Sequence, residues 1–239
     1  MKGIIMKKIM MMAVAALMAT TGAYAQFEKG KWSLQPYAGG VVSSITNVGS
    51  YDLDDGMELK KKMTVGYIIG GEAEYQFAKR FSVAAGLNYT TQGCGWDDFS
   101  YWDEGVRVKV KNQSDNLGYI KIPIVANYYI FKGFAVKAGV QFGYMVRSKF
   151  SAHGTADMDI LGDGVRREVD LYGTVDVMDQ YERFDFSIPV GISYQFKVPI
   201  TIDARYQIGL TRLNKMTYDG VKNSRNSVFT LTVGYKFKL

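Results

Sequence analysis

The sequence predicts an all-β fold, an eight-stranded antiparallel up-and-down transmembrane β-barrel with short periplasmic turns and long extracellular loops. Three observations predict it. First, apolar and polar residues alternate with a period of two in eight stretches of about 11 to 15 residues. Ordinary strands average about five or six residues, whereas a tilted strand needs about 9 to 11 to cross a bilayer. Second, the connections alternate in length. Short turns follow Phe77, Phe131 and Phe196, and long polar stretches fill 43–63, 93–116, 149–182 and 213–225. An even strand number then puts both ends of the barrel on the short-turn side. Third, the strands running toward that side end alike, in Tyr75-Gln76-Phe77, Tyr129-Ile130-Phe131, Tyr194-Gln195-Phe196 and Tyr235-Lys236-Phe237. Aromatics at a fixed depth form an interfacial girdle.

Residues 1–25 read as a secretory signal peptide. Lys7 and Lys8 precede an apolar stretch over 9–19, and Ala23-Tyr24-Ala25 supplies the small residues for cleavage before Gln26. That stretch is too short to span a bilayer as a helix, and no later segment approaches the roughly 20 apolar residues a spanning helix needs. The chain therefore divides into a signal peptide over 1–25 and a barrel domain over 26–239.

The first barrel segment, 32–42, is weakly amphipathic. The second, 64–77, sets Tyr67, Ile69, Ala73 and Tyr75 against Gly70, Glu72, Glu74 and Gln76; the third, 80–92, sets Phe81, Val83, Ala85, Leu87 and Tyr89 against Ser82, Ala84, Gly86 and Asn88. The fourth, 117–131, has Ile120, Ile122 and Ile124 on one parity and Tyr129 and Phe131 on the other, so a bulge is expected near Asn127. The fifth, 134–148, sets Val136, Val140, Phe142 and Tyr144 against Lys137, Gly139, Gln141 and Gly143. In the sixth, 183–196, the polar parity carries Asp185, Ser187, Ser193 and Gln195; in the seventh, 199–213, it carries Asp203, Arg205 and Gln207. The eighth, 226–239, is the cleanest, with Phe229, Leu231, Val233 and Tyr235 opposite Thr230, Thr232, Gly234 and Lys236.

Tyr119-Ile120-Lys121-Ile122-Pro123-Ile124 resembles the Tyr-Leu-x-Ile-Pro-Leu strand of the PorT-type outer-membrane β-barrel family of Gram-negative bacteria. Gly86-Leu87-Asn88-Tyr89 with Gly93, and the run over 205–211, are similar to further stretches of that family. The resemblance spans the mature chain and implies an outer-membrane location. It also implies a role that, in some members, is assistance to protein secretion or assembly. Lys121 departs from the pattern, where an acid is frequent. Pro123 and Pro189 lie in similar Ile-Pro-Ile and Ile-Pro-Val contexts, and a proline inside a strand implies a bulge.

Composition narrows the function. Lys2, Lys7 and Lys8 lie in the leader, and without them the net charge of +6 falls to about +3. No arginine-rich face or nucleic-acid motif occurs, so no nucleic-acid partner is expected. With one cysteine, Cys94, and one histidine, His153, thiolate metal clusters and disulfides are excluded.

The interior parity carries the acids Glu72, Glu74, Asp185 and Asp203 and the bases Lys121, Lys137, Arg205 and Lys236. An eight-stranded barrel is just wide enough for its own side chains, and buried charge must be paired. The expectation is a salt-bridged plug, with a proton or small-ion path as the alternative. Asp157, Asp159 and Asp163, followed by Gly164, miss the spacing of an EF-hand loop and read as a solvated acidic loop. Lys60-Lys61-Lys62 reads as a solvated run that can reach lipopolysaccharide phosphates. His153 with Ser148 or Ser151 is the sole candidate for a lipid-modifying site. Two sequons, at Asn88 and Asn112, are discounted.

The reading that follows is a structural or interaction barrel with a side-chain-plugged lumen and partner-binding outer loops. It has no assigned catalytic, cofactor-binding or metal site. Outer-membrane lipids and lipopolysaccharide are its expected surroundings, with a protein partner through the extracellular loops. An accessory of a secretion machine and a lipid-modifying enzyme are the alternatives.

Overall fold

The computed structural model describes residues 29–46, 52–53, 57–58, 61–103, 106–131, 133–158, 167–215 and 223–239. The leader, Lys60, Asp159, Asp163 and Gly164 lie outside these residues. The strands in chain order are β1 (Trp32–Thr46), β2 (Asp52–Leu53), β3 (Met57–Glu58), β4 (Lys61–Ala78), β5 (Phe81–Trp96), β6 (Phe99–Asp103), β7 (Val106–Phe131), β8 (Phe134–Met158), β9 (Arg167–Asp176), β10 (Phe184–Gln195), β11 (Ile200–Gly209), β12 (Arg225–Tyr235) and β13 (Phe237–Lys238). Eight of them close a ring in the order β1, β4, β5, β7, β8, β10, β11, β12 and back to β1. Every pairing is antiparallel, and closure runs from Tyr37 opposite Gly234 to Thr46 opposite Arg225. Closing the sheet removes the free edges that lipid cannot satisfy.

The outer wall is an apolar belt that includes Ile69, Leu87, Ile122, Phe142, Ile192, Tyr206 and Leu231, all exposed. Such an area of exposed apolar surface suits acyl chains, not water. Its lower rim is aromatic: Trp32 lies against Tyr75 at 4.9 Å, Phe81 against Tyr128 at 4.9 Å, Phe131 against Phe134 at 4.9 Å and Tyr194 against Phe196 at 5.0 Å. Two residues of the repeated endings depart from the expected girdle. Tyr129 and Phe237 are buried, and Tyr128 takes the outward place beside Phe81.

The bulge expected near Asn127 is not there. Asn127 pairs with Ser82 and Lys137 in unbroken register, and its parity continues inward through Tyr129. The register shifts between Tyr129 and Phe131, so only the last residue turns out to the wall. Nor do Pro123 and Pro189 create bulges. Pro123 pairs with Gln141 on one side, and Pro189 with Gln207, with the register unchanged around each. Each proline simply lacks the N–H for one ladder bond, and its neighbours hold the alignment.

The larger departure lies beyond the belt. Parts of 93–116 and 149–182 expected as loops are strand: β7 and β8 run for 26 and 25 residues. β6 adds to β7 and β9 adds to β8, giving a four-stranded sheet, β6-β7-β8-β9, above the barrel. On the opposite side the turns are short, as expected. Gly133 adopts φ +85 in the β7–β8 turn, and a Cβ there would stand 2.3 Å from the Gln195 carbonyl oxygen. Gly133→Ala is therefore expected to destabilise the barrel by about 1–3 kcal/mol, read as a lowered urea midpoint in detergent micelles.

Candidate functional site

The lumen is lined by the inward parity of the eight strands. All eight charged residues expected there are buried. They sort into connected groups. At the centre, Arg205 from β11 bridges two acids: Nη2 donates to Glu72 Oε2 at 2.8 Å and Nε to Asp203 Oδ1 at 2.7 Å. Lys137 from β8 pairs with the second oxygen of Asp203. The planar guanidinium meets each carboxylate with two N–H groups, a fork geometry that an ammonium lacks. Toward the short turns, Lys236 Nζ lies 2.6 Å from Glu74 Oε2, and Ser82 and Tyr129 both donate to Glu74 Oε1. Asn127 donates to Ser82 Oγ at 2.9 Å and extends this group to the adjacent strand β7.

Toward the outer face, Lys121 donates to Gln92 Oε1 at 2.7 Å and Gln207 Oε1 at 2.8 Å, and Gln141 donates to the same Gln207 oxygen at 2.8 Å. Asn226 donates to Asp185 Oδ1 at 2.8 Å and to the Tyr119 hydroxyl at 3.3 Å. Lys121 and Asp185 flank Gly143 from either side, where a Cβ would meet each at 3.3 Å. Here amide side chains, not a direct ion pair, hold the two charges.

Above this level the lumen turns apolar. Ile45, Cys94, Leu117, Tyr119, Met145 and Leu213 form one buried cluster, with Trp96 and Tyr181 packed against it. This cap was not foreseen. Ile45, Cys94, Trp96 and Tyr181 lie in stretches read as loop, whereas Leu117, Tyr119 and Met145 lie toward the outer ends of segments read as strand. Burial pushes the Cys94 thiol up to about 12, so it stays protonated and serves as packing. Asp115, at the edge of the cap and above the belt, accepts a hydrogen bond from the Tyr181 hydroxyl at 2.6 Å. Burial raises its carboxyl from 3.8 to about 6, against the lowering effect of that bond. The folded chain thus holds this proton more tightly than the unfolded chain. Its contribution to stability is full below pH 3.8 and is lost as the pH rises through about 6. The urea midpoint should fall between pH 4 and pH 7, by at most roughly 3 kcal/mol of stability, and Asp115→Asn should reduce that fall.

The other candidates fall as follows. His153 stands on the upper part of β8, with Nε2 3.5 Å from Asp170 Oδ1 of β9. Ser148 is fully buried, and Ser151 Oγ lies 3.2 Å from Thr174 Oγ1, so neither serine is hydrogen-bonded to His153. Lys62 Nζ pairs with Asp97 at 2.9 Å, and Lys61 donates to the Ile45 carbonyl at 3.2 Å. Asn88 is buried, donating to the Tyr37 hydroxyl at 3.1 Å. Among the described residues no group of three His, Cys, Asp or Glu side chains could hold a metal ion.

The model of the outer membrane protein beta-barrel domain family matches residues 24–214. Among solved structures, the chain is similar to Ail, the attachment invasion locus protein of Yersinia pestis, at 13% identity, covering 88% of this chain and 100% of that one with a TM-score of 0.42. It is also similar to Neisserial surface protein A, at 15% identity over 86% and 97% of the chains with a TM-score of 0.39. A third is OprG from Pseudomonas aeruginosa, at 11% identity over 90% and 99% with a TM-score of 0.38. No curated protein matches the sequence.

Proposed function

The chain belongs to the outer membrane protein beta-barrel domain family, and we propose that it acts there as an interaction barrel. Its lumen is sealed by its own side chains and its outer sheet presents a docking surface. It is an outer-membrane protein, so that sheet faces outward. The observation that carries the reading is the division of the molecule. Self-paired charges and an apolar cap fill the lumen, while β6-β7-β8-β9 stands clear of the belt with Tyr172 76% and Val175 59% exposed. Large side chains held exposed on a paired sheet are suited to protein or glycan contact.

The PorT-type reading, an accessory of secretion, is weaker on this geometry. In the stretch over 119–124, Tyr119 and Lys121 point into the lumen and serve its packing, and Ile120, Ile122 and Ile124 face lipid. Photocrosslinkers at Tyr172 and Val175, on cells displaying the chain, test the proposal against one at the lipid-facing Leu231. Reproducible adducts from the first two and none from Leu231 are expected. Identical adduct patterns from all three positions would contradict a specific outer face.

A further inference from the structure

We propose that a groove on the outer wall, at the top of the apolar belt, binds the phosphate of an acylated, phosphorylated glycolipid of the outer leaflet through Arg147 and Lys149. The groove has a volume of about 560 Å³, and its lining includes Tyr67, Thr91, Gly118, Arg147, Lys149 and Tyr172. It is separate from the lumen, and it borders the outer sheet, with which it shares Tyr172.

Two irregularities in the ladder build it. Between Met63 and Ile68 the β4–β5 register shifts, and Thr91 Oγ1 takes up the freed backbone, accepting from the Tyr67 N–H at 2.9 Å. On the other flank the register shifts between Gly118 and Tyr119, opposite Arg147 and Met145. That shift leaves Val146 and Arg147, neighbours in sequence, both exposed. A bulge re-aims a side chain in this way, and here it turns a guanidinium onto the lipid-facing wall. Gly118 keeps the floor low. A Cβ there would stand 2.5 Å from the Tyr89 hydroxyl and 3.1 Å from Arg147 Cβ.

The charges are available. Among the described residues no carboxylate lies within 4 Å of Arg147 or Lys149, whereas Lys62 pairs with Asp97 and His153 with Asp170. Asp176 sits opposite Lys149 in the ladder, but its Oδ1 accepts the Met178 N–H at 2.9 Å. Val65, 78% exposed, lines the groove itself, and below it Ile69 and Ile120 continue the belt. A ligand seated here meets cations and tyrosines at its head and bare apolar wall along its tail. That pattern fits a membrane-anchored phosphate better than a soluble one.

The test uses the chain extracted from outer membranes in mild detergent, stripped of lipid and titrated with bisphosphorylated lipid A under native mass spectrometry. One saturating equivalent is expected. Replacing both cations with serine, R147S with K149S, should weaken binding about tenfold or more, while R147K with K149R should largely retain it. Heat-modifiable gel migration reports that each variant is folded. Dephosphorylated lipid A should bind the unaltered chain as weakly as the serine variant, and millimolar inorganic pyrophosphate should not displace the lipid. Unchanged binding to the folded serine variant, or no effect of removing the phosphates, overturns the proposal. Full displacement by pyrophosphate would replace the lipid with a soluble phosphate and also overturns it.

Discussion

Replacing Arg205 with Met is expected to destabilise the barrel by about 3–5 kcal/mol. Among the described residues the guanidinium alone is ion-paired with both Glu72 and Asp203 at the centre of the lumen. Removing it leaves Glu72 with no cation and Asp203 with Lys137 alone. Both acids are almost wholly buried, and Ile45, Leu117 and Met145 are packed in the apolar cluster on their outer side. The loss is therefore dominated by an uncompensated buried charge and much less by the packing of the side chain. That distinction is measurable. Glu72→Gln combined with Arg205→Met removes the stranded charge and should recover much of the loss, whereas Glu72→Gln alone should not stabilise the chain. Urea midpoints in lipid vesicles, compared across the three variants, check this. A double variant as unstable as Arg205→Met would mean that the guanidinium matters through its volume and not its charge.

The second large effect lies on the other face of the wall. Leu231 is in the middle of β12, outward and half exposed, between Ala204 and Gly40 in the ladders. Leu231→Arg places a cation near the centre of the belt, with an expected cost of about 2–4 kcal/mol; the same change at Leu210, close to the outer rim, should cost about 0–1 kcal/mol. In a soluble barrel both positions would be solvent-exposed and the two substitutions would be alike. The ratio of folded to unfolded bands in unboiled gels, after assembly into vesicles, reports the difference. Equal effects at the two positions would place the belt elsewhere.

These two positions also show what the sequence makes legible. Leu231 and Arg205 could be assigned to opposite faces because in β11 and β12 the period of two runs unbroken through turn to turn. Strict register leaves a residue no choice of side. The same rule identified the lumen acids and bases before any partner was known. At Tyr129 the period of two held and the aromatic ending, which suggested the wall, misled. The hydroxyl instead donates to Glu74, and a buried tyrosine with a partner for its polar tip is stable inside. The sheet above the belt was missed for a different reason. Val106, Val108 and Val110 do alternate with Arg107, Lys109 and Lys111, but this run lies beyond the length a membrane strand needs. The cap needed three dimensions. Ile45, Cys94, Leu117, Met145 and Leu213 come from separate strands and connections, and no local pattern joins them. The Arg147 groove needed the register shifts themselves, which parity alone does not reveal.

The lumen is filled from the Glu74–Lys236 pair to the apolar cap. Single-channel recording of the chain in a planar bilayer tests it most directly. Silence, or rare brief flickers, is expected across voltages that leave the bilayer intact. Steady ohmic steps would contradict it, because they would require a continuous water path past Arg205 and Met145.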